Sequence, residues 1–159
     1  VLAKFWNNFV APLVRRPPRF QVAALCYRET GPGLEVLLIT SLETKRWILP
    51  KGWPKSGLDA EGTALDEAWE EAGIRPADGT EGLIGRYRYA KRLRGSVPVQ
   101  TDVDVYAFEG AALQDDYPEA GRRERRWMSP DEAADLVEED QLKTLLRDFP
   151  VTLRAMQRG

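Results

Sequence analysis

The chain contains no histidine, and its only cysteine is Cys26. The first absence removes Ser-His-Asp triads and His-based zinc sites, so acid–base or metal chemistry falls to carboxylates, lysines or tyrosines. The second excludes an intramolecular disulfide, and no disulfide partner is expected. Cys26 lies in the apolar run VAALCY, reads as a buried core residue and favours a reducing compartment, for which the cytoplasm is the expectation. No run of about 18 apolar residues occurs, so no membrane-spanning helix and no membrane partner are expected. A large charge excess is missing as well: the formal net charge of −2 argues against nucleic acid as a general partner. Repeats, low-complexity tracts and interdomain linkers are also absent. What is present, 159 residues with 43% apolar content, suffices for one domain with a substantial core. The N-terminal VLAKFWNNFVAPLV is interrupted by Lys4 and Asn7-Asn8 and has no small-x-small cleavage site before Arg15-Arg16. Residues 1–18 therefore read as an arm or short helix, and 19–159 as a single domain.

Along that domain, Gln21 to Arg28 and Glu35 to Thr40 read as strands rich in Val, Ile and Leu around a Gly31-Pro32-Gly33 turn. A short strand is expected at Trp47 to Leu49. A second hairpin spans Leu83 to Arg92 and Val97 to Phe108, turning at Gly95-Ser96, and its alternation leaves the buried face of the second strand open. Arg125 to Met128 is a further short strand. Ser129 then caps a helix over Pro130 to Val137, with proline at the first helical position. A last helix runs from about Glu139 to Asp148; Pro150 is expected to interrupt it, with the residues through Gly159 continuing as a frayed helix. The pattern predicts an α/β (α+β) fold, a mixed β-sheet sandwiched between α-helices.

The most informative stretch is LPKGWPKSGLDAEGTALDEAWEEAGI, Leu49 to Ile74. Asp59 as N-cap and Gly73 beyond the C-terminus bound a helix over Ala60 to Ala72. At 100° per residue Ala64, Leu65, Ala68 and Ala72 share one arc, while Glu67, Glu70 and Glu71 project together from a neighbouring one. Side chains three and four apart approach within roughly 5–6 Å, so three such carboxylates repel one another unless a positive group stands among them. Taken alone, this is an ordinary solvated acidic face. Lysines and arginines elsewhere come in blocks: Arg15, Arg16 and Arg19; Lys45, Arg46, Lys51 and Lys55; Arg86, Arg88, Lys91, Arg92 and Arg94; Arg122, Arg123, Arg125 and Arg126. Blocks converging on a carboxylate site would suit a small, highly phosphorylated ligand bridged by a divalent cation.

With Gly52 as its first glycine the stretch resembles the Nudix box, G-x5-E-x7-R-E-U-x-E-E-x-G-U, where U is aliphatic. Glu67, Glu70, Glu71, Gly73 and Ile74 match, and Ala68 stands at the first U. Leu58 replaces the first Glu and Asp66 replaces Arg. Further stretches, RRPPRFQVAALCYR, TKRWILPKGW and GRRERRWMSPDEAADLV, are similar to the diphosphoinositol polyphosphate phosphohydrolase branch and its bacterial LPKGWP-type relatives. The resemblance implies the Nudix fold. It also implies a pyrophosphohydrolase that cleaves a phosphoanhydride, of a diadenosine polyphosphate or a diphosphoinositol polyphosphate, by water attack on phosphorus with Mg²⁺ or Mn²⁺.

On the same resemblance Glu70 and Glu71 bind metal, Glu67 binds metal or serves as base, Glu70 shares the catalytic role, and the Lys51 carbonyl adds an oxygen ligand. Arg19, Arg46, Lys51, Lys91, Arg122 and Lys143 are the expected substrate-binding residues, and Glu119 and Glu124 are lower-ranked ligands or bases. In the family the Arg at position 66 orients a neighbouring carboxylate, so Asp66 raises the question of what replaces it, with Lys55 or a nearby Arg as candidates. Two other readings remain: a Nudix-like binding or regulatory domain, and a Nudix enzyme for ADP-ribose, nucleotides or capped RNA. Nothing in the sequence addresses oligomeric state.

Overall fold

The computed structural model describes residues 19–91 and 97–159, without the side chain of Arg19. The arm expected over 1–18 and the Gly95-Ser96 turn lie outside the described residues. Among the described residues seven strands, β1 (Arg19–Glu29), β2 (Leu34–Thr40), β3 (Trp47–Ile48), β4 (Lys51–Gly52), β5 (Gly82–Lys91), β6 (Val99–Glu109) and β7 (Arg125–Met128), combine with three helices, α1 (Ala60–Ala72), α2 (Pro130–Leu136) and α3 (Asp140–Arg158). The main sheet has the order β3-β2-β1-β6-β5, with β4 paired to β1 and β7 to β2. It is mixed because β1 runs parallel to β6, from Arg19 opposite Thr101 to Tyr27 opposite Glu109, while the other pairings are antiparallel.

β1 is covered on both faces, which explains its nearly continuous apolar sequence. Val22, Ala24 and Cys26 join Leu37, Ile39, Phe108 and the alanines of α1 in one core. Ala23, Leu25 and Tyr27 join Val103, Val105 and Ala107 with Leu142, Leu146, Phe149 and Leu153 of α3 in the other. The buried face of β6 is thereby settled, with Thr101, Val103, Val105 and Ala107 inward. Asp102 and Asp104 face across the β5 ladder and pair with Arg88 and Arg86 at 2.7 and 2.6 Å.

Two expectations need correction. Pro150 does not interrupt the last helix, which continues to Arg158. Proline removes one N–H from the ladder and costs about 3 kcal/mol in a helix interior. Leu142, Leu146 and Phe149 on one side of it and Leu153 on the other are all buried, so both halves are held to the sheet. The second correction concerns Leu49, which ends no strand. Pro50 follows it, and the chain re-enters the sheet as β4, with Val22 opposite Gly52 and Ala23 opposite Lys51. The Pro50 carbonyl accepts the Ala24 N–H at 2.9 Å, so the LPKG segment is fastened to the central strand just before the acidic helix.

Candidate active site

Local signals set the position of α1. The Asp59 carboxylate accepts the Gly62 N–H at 2.7 Å, capping the first turn. At the other end Gly73 is left-handed, with φ 67°, and the N–H groups of Gly73 and Ile74 return to the carbonyls of Trp69 and Ala68. A Cβ at Gly73 would also run into the Tyr117 ring. Ala64, Ala68 and Ala72 are wholly buried, and such small side chains let the helix lie close on the sheet. The consequence appears at Gly52, where a Cβ would collide with the Glu67 carboxylate. Glycine in β4 is what lets that carboxylate rest against the strand.

Glu67 and Glu71 are buried, at 7% and 5% exposure, and Glu70 is more open at the edge of the same cluster. Burial pushes the Glu71 carboxyl up to about 8, against the pull of Arg123, and the charge and hydrogen bond of Glu67 add to the rise. The positive group expected among the glutamates is Lys55. Its ammonium hydrogen-bonds Asp66 and lies 3.1 Å from both Glu67 Oε1 and Glu70 Oε2. Burial works against that charge, but the hydrogen bonds to Asp66, Glu70 and Glu67 outweigh it and raise the Lys55 pKa.

A second cation approaches from the segment before β7. The Glu119 N–H bonds the Glu70 carbonyl at 3.0 Å and docks this segment on the end of α1. Arg123 then reaches Glu119 at 3.2 Å, Glu71 at 3.6 Å and the Thr40 carbonyl at 3.1 Å. Glu124 takes part through its backbone, exchanging hydrogen bonds with Thr40.

Beside this cluster opens a cleft of about 570 Å³, lined by the 41–44 turn, Arg46, Ile48, Lys51, Tyr89, Lys91, Arg123 and Glu138. Burial lowers the Lys51 ammonium to about 8; Glu71 and Glu139 oppose the fall, and Lys91 and Arg46 add to it. Lys51 lies over the Tyr89 ring at 5.1 Å, and Lys91 over Trp53 at 5.5 Å. Arg46 is held by Glu138 at 2.8 Å and Glu139 at 3.4 Å. Of the expected substrate contacts, Arg46, Lys51 and Lys91 thus meet at one cleft. Arg122 instead pairs with Glu119 at 3.7 Å, and Lys143 donates to the Ala134 carbonyl at 3.0 Å, tying α3 to α2. Neither lines the cleft. The side chain of Arg19 lies outside the described residues.

The donor set is of the kind a hard divalent cation takes: two buried carboxyl groups with a third beside them, oxygen donors throughout. Among the described residues no three acidic side chains form a ready-made cation cage, and Lys55 stands among the glutamates. Among those residues, too, no helix is long and apolar enough to cross a membrane.

A mixed sheet between helices, with a glutamate-bearing helix entered from a glycine loop, defines a class that comparison with known proteins identifies. The NUDIX domain model matches residues 17–149. Nudix hydrolase 4 of Arabidopsis thaliana is 30% identical over 118 residues, 73% of this chain, which spans only 54% of that relative. The Ap4A hydrolase of C. elegans superposes with a TM-score of 0.63 at 20% identity, covering 86% of this chain and 99% of the other. The NUDIX domain of Shewanella oneidensis NrtR, solved with ADP ribose, gives 0.62 at 17% identity, covering 93% and 97%. The chain belongs to the Nudix family.

Proposed function

We propose that the protein is a metal-dependent pyrophosphohydrolase of the diphosphoinositol polyphosphate phosphohydrolase type, cleaving a phosphoanhydride in a small substrate that carries several phosphates. The observation that carries this reading is that a cleft lined by Arg46, Lys51, Lys91 and Arg123 adjoins the Glu67, Glu70 and Glu71 cluster through Arg123, 3.6 Å from Glu71. Glu67, Glu70, Glu71 and the Lys51 carbonyl would hold the divalent cation, which supplies positive charge at the scissile phosphate and lowers the pKa of a water. Glu67 and Glu70 share the catalytic role, one of them accepting the proton of the attacking water; the greater exposure of Glu70 supports it in that part. Arg46 and Lys91 bind the chain of phosphates, and Arg123 keeps Glu71 and Glu119 in place. Tyr89 in the cleft and Trp53 beside Lys91 each already carry a lysine, which supports phosphate recognition over base stacking. Diadenosine polyphosphates and diphosphoinositol polyphosphates are accordingly the first substrates to test.

A Mg²⁺- or Mn²⁺-supplemented hydrolysis screen over these compounds, ADP-ribose, nucleotides and capped RNA, run beside Glu70→Gln, tests the proposal. Turnover of a polyphosphate substrate that falls by about 10²-fold or more in Glu70→Gln is the expected result. Activity indifferent to that substitution would remove the proposed site. Stabilisation by a ligand with no turnover would identify a binding domain instead, a reading that Leu58 and Asp66 at two box positions favour.

A further inference from the structure

Asp66 stands where the Nudix box has arginine, so the sign of charge at this point of the helix is reversed. The structure supplies the missing positive charge from a different place. The backbone of Lys55 is pinned to α1, its N–H donating to Thr63 Oγ1 at 3.2 Å and its carbonyl accepting from Leu58 at 3.1 Å. Only its flexible four-carbon stem then has freedom, and the ammonium's three donors meet three acceptors on Asp66, Glu67 and Glu70. Two of those acceptors belong to the proposed metal ligands. Asp66, as exposed as Glu70 at 38%, is the one acceptor of the three outside that set.

We propose that Lys55 is a built-in counter-cation which occupies the metal-ligand carboxylates until a divalent ion displaces it, and that Asp66 is the dock that keeps the displaced ammonium. This rests on the metal site proposed above. A hard divalent ion approaches carboxylate oxygen to about 2.0–2.1 Å if it is Mg²⁺. An ammonium 3.1 Å from the same two oxygens competes for their lone pairs and repels the ion. The arginine of the family motif is thus not replaced in kind. Its substitute is a lysine whose stabilising role belongs to the metal-free state, with a carboxylate to receive it when the metal binds.

The test measures Mn²⁺ binding by the electron paramagnetic resonance of free Mn²⁺, together with melting temperature, on wild type, Lys55→Met, Asp66→Asn, the double variant and Glu70→Gln. Lys55→Met is expected to bind Mn²⁺ about tenfold more tightly. It should melt below wild type without metal and match it at saturating Mn²⁺. Asp66→Asn is expected to weaken Mn²⁺ binding in the wild-type background and much less in the Lys55→Met background, since the dock matters only while the lysine is present. Lys55→Arg, which keeps the charge, controls for the fold and should melt near wild type without metal. A Lys55→Met protein that binds Mn²⁺ no more tightly, or whose melting deficit persists at saturating Mn²⁺, overturns the role of Lys55 while loss of binding in Glu70→Gln leaves the site standing. Mn²⁺ binding that is absent from wild type, or unchanged in Glu70→Gln, overturns the site and this inference together.

Discussion

Against one face of the sheet α1 lays Ala64, Ala68 and Ala72, whereas against the other α3 lays Leu142, Leu146, Phe149 and Leu153. The alanine face buries little side-chain area per residue, but it brings the helix near enough for Glu67 to rest on Gly52. The bulky face fills the larger of the two cores. On the first face Glu67 and Glu71 lie buried side by side, with Lys55 and Arg123 against them. Desolvated like charges oppose folding, so the side with the chemistry depends on the other for stability. The two faces can therefore be broken separately.

The largest effect is expected from Phe149→Ala. Phe149 is fully buried and meets the Tyr27 ring edge-on at 5.6 Å. Truncation should cost about 3–5 kcal/mol, read as a lower urea midpoint at unchanged slope, while hydrolysis per folded molecule is retained. Gly52→Ala attacks the other face and should invert that result. Its Cβ must push aside the Glu67 carboxylate, which is the end of a flexible side chain, so the stability loss stays near 1 kcal/mol. Moving a proposed metal ligand by about an ångström should cost on the order of 10²-fold in kcat. Comparable losses of stability in the two variants would refute the division of labour.

The acidic face also carries a pH dependence of its own. Because the folded Glu71 pKa is raised to about 8 from 4.5, the native state holds a proton that the unfolded state releases, and metal-free stability falls as pH rises between those values. A divalent cation held by Glu71, as proposed, would displace that proton. Metal affinity should increase up to tenfold per pH unit until about pH 8 and then level off, with proton release visible by calorimetry in buffers of different ionisation enthalpy. Affinity that is flat from pH 6 to 8 would show Glu71 to be already ionised.

How far this arrangement could be read in advance depended on how local its causes were. The bounds of α1 follow from Asp59 and Gly73, residues that act within one turn, and helical periodicity alone groups Glu67, Glu70 and Glu71. β4 is two residues long and exists because β1 accepts it, so LPKG carries no strand signal of its own. Pro150 is a genuine breaker overruled by packing that lies far away in sequence. In GRRERRW nothing local distinguishes Arg123, which is drawn inward because Glu119 docks on α1, from Arg122, which stays exposed. Lys55 left a trace, since a reversed charge at Asp66 calls for a cation within reach. Lys143 and Arg122 carried the same kind of charge signal, and the tertiary contacts spend it elsewhere.

The smallest effect concerns the turn that delivers Arg46 to the cleft. Lys45 has φ 60° and is the only non-glycine residue with positive φ among the described residues. The Ser41 N–H meets the Arg46 carbonyl at 2.8 Å and the Lys45 N–H meets the Ser41 carbonyl at 3.2 Å, so the turn holds this conformation against its cost. A left-handed L-residue costs roughly 1–2 kcal/mol. Glycine removes that strain but gives back about 0.5–1 kcal/mol in chain entropy. Lys45 is exposed and does not line the cleft, so Lys45→Gly should raise stability by roughly 0.5–1 kcal/mol in urea with kcat unchanged. A stabilised protein with a raised KM would mean instead that the strained turn sets the reach of Arg46, and that the cleft, like the acidic face, keeps a local cost for the sake of position.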